Sequence, residues 1–288
     1  MSNKKNILVT GANGQLGMEF RQLETAFTDY KFLFVSKDEL SIKDTTSVEK
    51  YFEINEIDYC INCAAYTAVD KAETEKETAI EINVTAVGHL AAVCKKYNAA
   101  FFHFSTDYVF DGTAKAAYKE TDTTNPVNFY GQTKLAGEQE AIKQNENTII
   151  IRTSWVYSSH GKNFVKTMLR LMCEKESIGV VNDQFGCPAY AADLAKAVMK
   201  IISSRHPAKG IYHYCNNGII SWFDFACEIK KLINSKCIVN AIDTASYPTP
   251  AKRPHFSALN TKKIKEQYGL NISGWQESLQ NCIRLMTL

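Results

Sequence analysis

Seven residues near the start of the chain, Gly11-Ala-Asn-Gly14-Gln-Leu-Gly17, narrow its possible folds more than any other stretch. They follow an apolar run over residues 5–10 that reads as a β-strand, and they open a segment over 15–26 with helical spacing. Strand, glycine turn and helix in that order make a phosphate cradle. Glycine lets the backbone turn sharply and approach a pyrophosphate, whose charge then rests at the helix N-terminus. The spacing is GxxGxxG rather than GxGxxG, and three glycines so close together also occur in plain turns. Position between a strand and a helix is what turns the pattern into a nucleotide signal, with Gly11, Gly14 and Gly17 as its candidate residues.

The first half of the chain repeats the alternation. Further strands are expected at 31–35, 58–63, 100–105 and 147–153, and helices at 48–55, 79–97 and 131–143. Strands alternating with helices of this length form βαβ units, hence a parallel sheet covered on both faces. Right-handed crossovers make that sheet doubly wound, an α/β fold. The second half is less regular, with helices expected at 164–174, 190–203, 222–233 and 276–285 and extended pieces at 178–181 and 211–215. Four of the chain's six prolines lie at or beyond Pro207, three of them clustered at Pro248, Pro250 and Pro254. No internal repeat or low-complexity tract is present.

Charge and composition exclude several classes. Lys plus Arg number 33 against 31 Asp plus Glu, which lacks the basic excess of a general nucleic-acid binder. No apolar run reaches the ~18 residues of a membrane helix, and the apolar Ile7-Leu-Val9 is too short for a signal peptide. A cytoplasmic location is expected. The nine cysteines are odd in number and scattered. Cys60 and Cys63 form a CxxC, but it lies in an apolar strand and no second pair exists to complete a zinc site. The six histidines show no metal-binding grouping and read as ordinary core or surface residues, so no metal ligand is assigned.

The chemistry is carried by Tyr130-Gly-Gln-Thr-Lys134 at the start of an expected helix. Residues i and i+4 share a helical face, so phenol and ammonium are expected to be neighbours. A free tyrosine titrates at about 10, and a nearby cation stabilises its phenolate. In a ketone reduction Tyr130 would be the acid, while Lys134 would stabilise the phenolate and hold the nicotinamide ribose. Thr106, at the end of the expected strand before Ser105-Thr-Asp-Tyr-Val-Phe-Asp-Gly112, sits where open α/β sheets bind ligands and could hydrogen-bond the reacting carbonyl. An acidic residue after the second strand would favour NADH and a basic one NADPH. Ser36-Lys37-Asp38 supplies both, so NADPH is expected with NADH left open.

Together these motifs resemble the extended short-chain dehydrogenase/reductases. Within them, the segments Ala64–Glu73, Ser105–Gly112, Tyr130–Glu138 and Arg152–Tyr157 are similar to the dTDP-4-dehydrorhamnose reductases. So are Gly161–Lys166, Asp183-Gln-Phe-Gly186 and Arg253-Pro-His-Phe-Ser257, and the likeness runs from about residue 5 to 285. It implies a Rossmann-type NAD(P)-binding domain over 1–157. Residues 158–288 would form mainly a smaller substrate-binding lobe, interleaved with the end of the sheet. It also implies NAD(P)H-dependent reduction of the 4-keto group of dTDP-4-dehydro-L-rhamnose to dTDP-L-rhamnose, a step in nucleotide-sugar and cell-surface polysaccharide biosynthesis.

By the same resemblance Gly14, Gln15 and Leu16 hold the pyrophosphate, and Ala65, Tyr66 and Thr67 line the cofactor. Thr106 and Asp107 face the sugar, Tyr130 donates the proton, Lys134 binds the ribose, and Trp155 lines the substrate. Arg253, whose planar fork suits phosphate oxygens, is a candidate diphosphate partner. The chain departs from the family at Leu40-Ser-Ile-Lys43, where an acidic residue commonly precedes the isoleucine; Ser41 and Ile42 stand at that adenine contact. Ala189 replaces the usual threonine. Some members place Mg²⁺ between subunits; Glu19 matches one of those ligands and the others are unmatched, so Mg²⁺ and a homodimer stay open. The alternatives are a reductase, 4-epimerase or 4,6-dehydratase of another nucleotide-4-ketosugar, or a non-catalytic subunit resembling the methionine adenosyltransferase β subunit. Against a dehydratase, only Asp107 follows Thr106 where an acidic pair is common.

Overall fold

The computed structural model describes residues 4–204 and 207–286. Ile7, Leu8 and Val9 are all fully buried, so strand β1 (Lys5–Thr10) is covered on both faces, as in a parallel sheet flanked by helices. It is joined by β2 (Tyr30–Val35), β3 (Tyr59–Asn62), β4 (Ala100–Thr106) and β5 (Ile149–Thr153), with a sixth strand over Gly210–Tyr214. The order across the sheet is β2-β1-β3-β4-β5 and then Gly210–Tyr214, every pair parallel. From β1 the chain runs outward to β2 and then returns to the other side of β1 for β3. The carboxyl ends of β1 and β3 therefore flank the switch point, where doubly wound sheets bind ligands.

Alternation along the buried strands divides the core. Ile7 and Val9 face a layer with Phe20, Leu194 and Val198, supplied by helix α1 (Gln15–Leu23) and the helix Ala191–Ser203. Leu8 faces the opposite layer with Val48, Phe52, Leu90 and Ala91. Both the helix Ala191–Ser203 and the sixth strand come from beyond residue 157. A third cluster, with Met168, Phe225 and Leu279, unites the helices Phe164–Glu174, Trp222–Leu232 and Trp275–Arg284.

Most elements fall where expected, and the differences have physical causes. The helix expected from 48 begins at Thr45, because the Asp44 side chain accepts the Ser47 N–H and caps it. The helix expected over 79–97 runs from Lys76 to Lys96 and widens into a π-helical segment over Glu81–Thr85. Among the elements of five or more residues, the strand Ile238–Ile242 and the helix Lys262–Tyr268 were not anticipated. The former is largely exposed and gains its ladder only by pairing with Ser177–Val181, a long-range event that no local pattern announces. No helix among the described residues is long and apolar enough to cross a membrane.

Candidate active site

The glycine turn is shaped by its neighbours. Gly11 has φ +63°, and a Cβ there would lie 2.7 Å from the Ala64 nitrogen at the end of β3. A Cβ on Gly17 would lie 2.5 Å from the Gly11 carbonyl oxygen, so α1 and the turn pack backbone to backbone. Gly14 caps α1 without a side chain, leaving the helix's leading N–H groups open to an anion. These features fit a dinucleotide pyrophosphate. Gly17→Ala is therefore expected to displace the turn and weaken NADPH binding by about 1–3 kcal/mol, read by titration calorimetry; unchanged affinity would show that the turn adapts.

Beside it, Ala65 and Thr67 are exposed and Tyr66 is half-buried. The Tyr66 peptide is gripped from both sides by Asn83, whose Oδ1 accepts the Tyr66 N–H at 2.9 Å and whose Nδ2 donates to the Tyr66 carbonyl at 3.0 Å. Asn83 is fully buried at the π-helical segment and also donates to Thr133 Oγ1, linking the stretch after β3 to the Tyr–Lys helix. Gln15 accepts a hydrogen bond from Asn163, which ties the loop before Phe164 to the turn. Ile42 packs into the core with Val35, Leu40 and Val48, so its side chain faces away from solvent, while Ser41 is half-buried. Lys37 and Asp38 are both exposed.

The helix Phe129–Gln144 is capped by Asn128, whose Oδ1 accepts the Gly131 N–H at 2.8 Å. Gly131 lies so near the Tyr108 carbonyl that a Cβ would collide with it. This contact presses the start of the helix onto the end of β4 and sets the Tyr130 ring edge-on to Tyr108, 6.2 Å between centroids. Thr106 Oγ1 donates to Asp107 Oδ1 at 3.0 Å and accepts the Tyr108 N–H. Burial, with the Asp107 carboxylate adding to it, pushes the Tyr130 phenol well above its ordinary value, and a hydrogen bond with Thr106 acts the other way. Asp107 is itself pushed up to about 7, chiefly by burial. Thr106, Asp107 and Tyr130 thus form one cluster at the sheet's carboxyl edge.

Lys134 departs from its expected electrostatic role. Its side chain is buried, with Nζ donating to the Phe104 carbonyl at 2.7 Å and lying 3.3 Å from His103 Nε2. The ammonium is engaged by β4, and the phenol of Tyr130 is raised, not lowered. Burial brings Lys134 down to about 8, with Glu138 opposing. Glu138 in turn holds Arg152 of β5 through two hydrogen bonds of 2.9 and 2.7 Å, both side chains buried.

Trp155 has a left-handed backbone, φ +47°, and stacks on Trp222 with centroids 3.5 Å apart. Gly186 makes this possible, since a Cβ there would meet the indole at 2.7 Å. Arg253 is paired with Asp70, Nη1 and Nη2 reaching its carboxylate at 3.0 and 2.9 Å. Its fork meets this chain's own acid, which ties the proline-rich loop to the segment after β3. Glu19 is buried and accepts from Ser158 Oγ at 2.6 Å, and burial raises its carboxyl. Among the described residues no group of three or more His, Cys, Asp or Glu could hold a metal. Sequence reasoning passed over Asn62, Asn83 and His103. The available signal was a polar residue inside or beside an apolar run, as in Phe101-Phe-His-Phe104.

A glycine turn at the switch point and a Tyr–Lys helix at the neighbouring strand end define an NAD(P)-dependent oxidoreductase of the short-chain dehydrogenase/reductase type. The model of the RmlD substrate binding domain matches residues 5–288. A dTDP-4-dehydrorhamnose reductase of Aggregatibacter actinomycetemcomitans is 41% identical over 285 residues, covering 96% of this chain and 97% of its own. The structure of a dTDP-4-dehydrorhamnose reductase from Clostridium acetobutylicum superposes with a TM-score of 0.94 at 39% identity, over 98% of this chain and all of that one. The Bacillus anthracis dTDP-4-dehydrorhamnose reductase, in complex with NADP, gives 0.94 at 36% identity with the same coverage. The chain belongs to the dTDP-4-dehydrorhamnose reductase family.

Proposed function

We propose that this protein reduces the 4-keto group of dTDP-4-dehydro-L-rhamnose to dTDP-L-rhamnose with NADPH, in the assembly of nucleotide sugars for polysaccharides. The observation that carries the reading is the meeting of Thr106 and Tyr130 at the carboxyl edge of β4, in a chain whose relatives bear that reductase name. The NADP complex of the Bacillus anthracis relative supports the choice of cofactor. Gly11, Gly14 and Gly17 would cradle the pyrophosphate with Gln15 and Leu16, and Ala65, Tyr66 and Thr67 would line the nicotinamide half. When bound, NADPH supplies the hydride.

The chain's own residues do the rest. The Thr106 and Tyr130 hydroxyls orient the ketone oxygen, and Tyr130 Oη gives that oxygen its proton, leaving the secondary alcohol and a phenolate. The raised phenol suits this task, because the acid stays protonated throughout the neutral range. Lys134 holds the ribose and returns a proton to the phenolate. Trp155 and Arg253 would bound the nucleotide end, and Arg253 must leave Asp70 in part to take a diphosphate.

Purified protein given dTDP-4-dehydrorhamnose is expected to oxidise NADPH and to yield a product whose NMR couplings are those of dTDP-L-rhamnose. A folded protein inert toward this substrate, yet active on another nucleotide 4-ketohexose, would reassign the sugar. Inertness toward all of them would remove the reductase reading.

A further inference from the structure

Three neighbouring strands place Thr10, Asn62 and His103 side by side in one row, since Thr10 pairs with Asn62 and Asn62 with His103. All three are buried, and their hydrogen bonds run in a chain that ends at Lys134. The direction of that chain follows from one backbone group. The Ala64 N–H can only donate, and it meets Asn62 Oδ1 at 3.2 Å; the Thr10 hydroxyl donates to the same oxygen at 2.7 Å. The oxygen of the Asn62 amide is thereby identified, and its NH₂ must be the group 3.2 Å from His103 Nδ1. A donor facing Nδ1 requires a lone pair there. The imidazole, kept neutral by burial and by the Lys134 charge, then carries its proton on Nε2, which faces Lys134 Nζ at 3.3 Å.

We propose that His103 is a positioning residue for the proton of Lys134: held by Asn62 as the Nε2–H tautomer, it turns a hydrogen-bond donor toward the amine and favours NH₂ over NH₃⁺. An ammonium has three donors and no lone pair, so it opposes the imidazole N–H, whereas a neutral amine accepts from it and still donates to the Phe104 carbonyl. The other charged group acting on Lys134 is Glu138, one turn along the same helix, which favours the ammonium but is itself held by Arg152 of β5. Asn62 on β3 and Asn83 on the helix before β4 are neutral. His103 thus offsets Glu138 and eases release of the Lys134 proton toward the phenolate that Tyr130 leaves behind.

The kinetic test rests on the reductase reading. In wild-type enzyme kcat is expected to fall as pH rises through about 8, where Lys134 loses its proton. His103→Asn keeps an oxygen for the Asn62 amide and removes the Nε2–H; His103→Gln can turn an amide oxygen to the amine. In both, the alkaline limb of kcat is expected to move up by about one pH unit or more, with KM for NADPH little changed. A limb that stays in place in folded variants overturns the proposal, whereas wild-type protein without turnover overturns the reductase reading instead. Nitrogen-15 NMR of the histidine rings needs neither a variant nor turnover. It is expected to show His103 with a bare Nδ1 and a protonated Nε2, and the opposite tautomer overturns the proposal.

Discussion

Tyr130→Phe is expected to lower kcat by about 10²–10⁴-fold, the usual contribution of a positioned general acid, while NADPH affinity stays close to that of the parent. The hydroxyl is the only part removed, and the ring that packs edge-on against Tyr108 is kept. On the proposed function the lost group is the proton donor to the ketone oxygen, an interaction made in the transition state, so kcat and kcat/KM should fall together. Stopped-flow oxidation of NADPH under saturating sugar nucleotide measures kcat, and calorimetry measures the NADPH affinity. If kcat drops less than about tenfold, the proton must reach the substrate by another route, with Asp107, raised to about 7, as the group to replace next.

Glu138→Gln is expected to destabilise the fold by about 3–5 kcal/mol, because it leaves the Arg152 guanidinium buried without a counter-charge. At roughly 2–4 °C per kcal/mol for chains somewhat smaller than this one, Tm should fall by about 6–20 °C in calorimetry. Arg152 has little else to turn to. Its Nη1 has no hydrogen-bond partner among the described residues, and the guanidinium lies over the face of Phe110 at 5.2 Å. Replacing both partners with methionine should recover much of the loss, since the cost lies in the orphaned charge more than in the pair. A second readout moves as well. Glu138 raises the proton affinity of Lys134, so in surviving enzyme the alkaline limb of kcat should shift to lower pH, opposite to the shift expected from His103→Asn. An unchanged Tm would mean that water reaches Arg152.

The two experiments draw on different kinds of information. Tyr130 could be singled out as a candidate from the sequence because an i, i+4 Tyr–Lys pair and a strand-end threonine are local patterns, and local patterns survive without coordinates. The same holds for the glycine turn. The first five strands were legible too, because both faces of a parallel sheet are buried and its strands read as apolar runs. Glu138 and Arg152 could not be paired this way, lying on different elements with no spacing rule to join them. The strand Ile238–Ile242 likewise exists through its partner Ser177–Val181.

Lys134 shows the limit most sharply. Its place on the helical face was given by spacing, yet its hydrogen bonds to Phe104 and His103 follow from how the helix is laid on β4. That depends on Gly131 meeting Tyr108, Gly137 meeting the Asn83 carbonyl, and Asn128 capping the first turn. Arg253 repeats the lesson, its fork turned toward Asp70 across 183 residues of chain.

By itself, then, the order of residues determined the doubly wound sheet, the glycine turn that opens α1 and the Tyr130–Lys134 spacing, because period, turn chemistry and short spacings act over a few residues. Only the tertiary structure decided the charge balance around Lys134, the partner of Arg253 and the placing of His103 between Asn62 and Lys134. Proton affinities depend on burial and on which groups face each other, and both are properties of packed elements far apart in sequence.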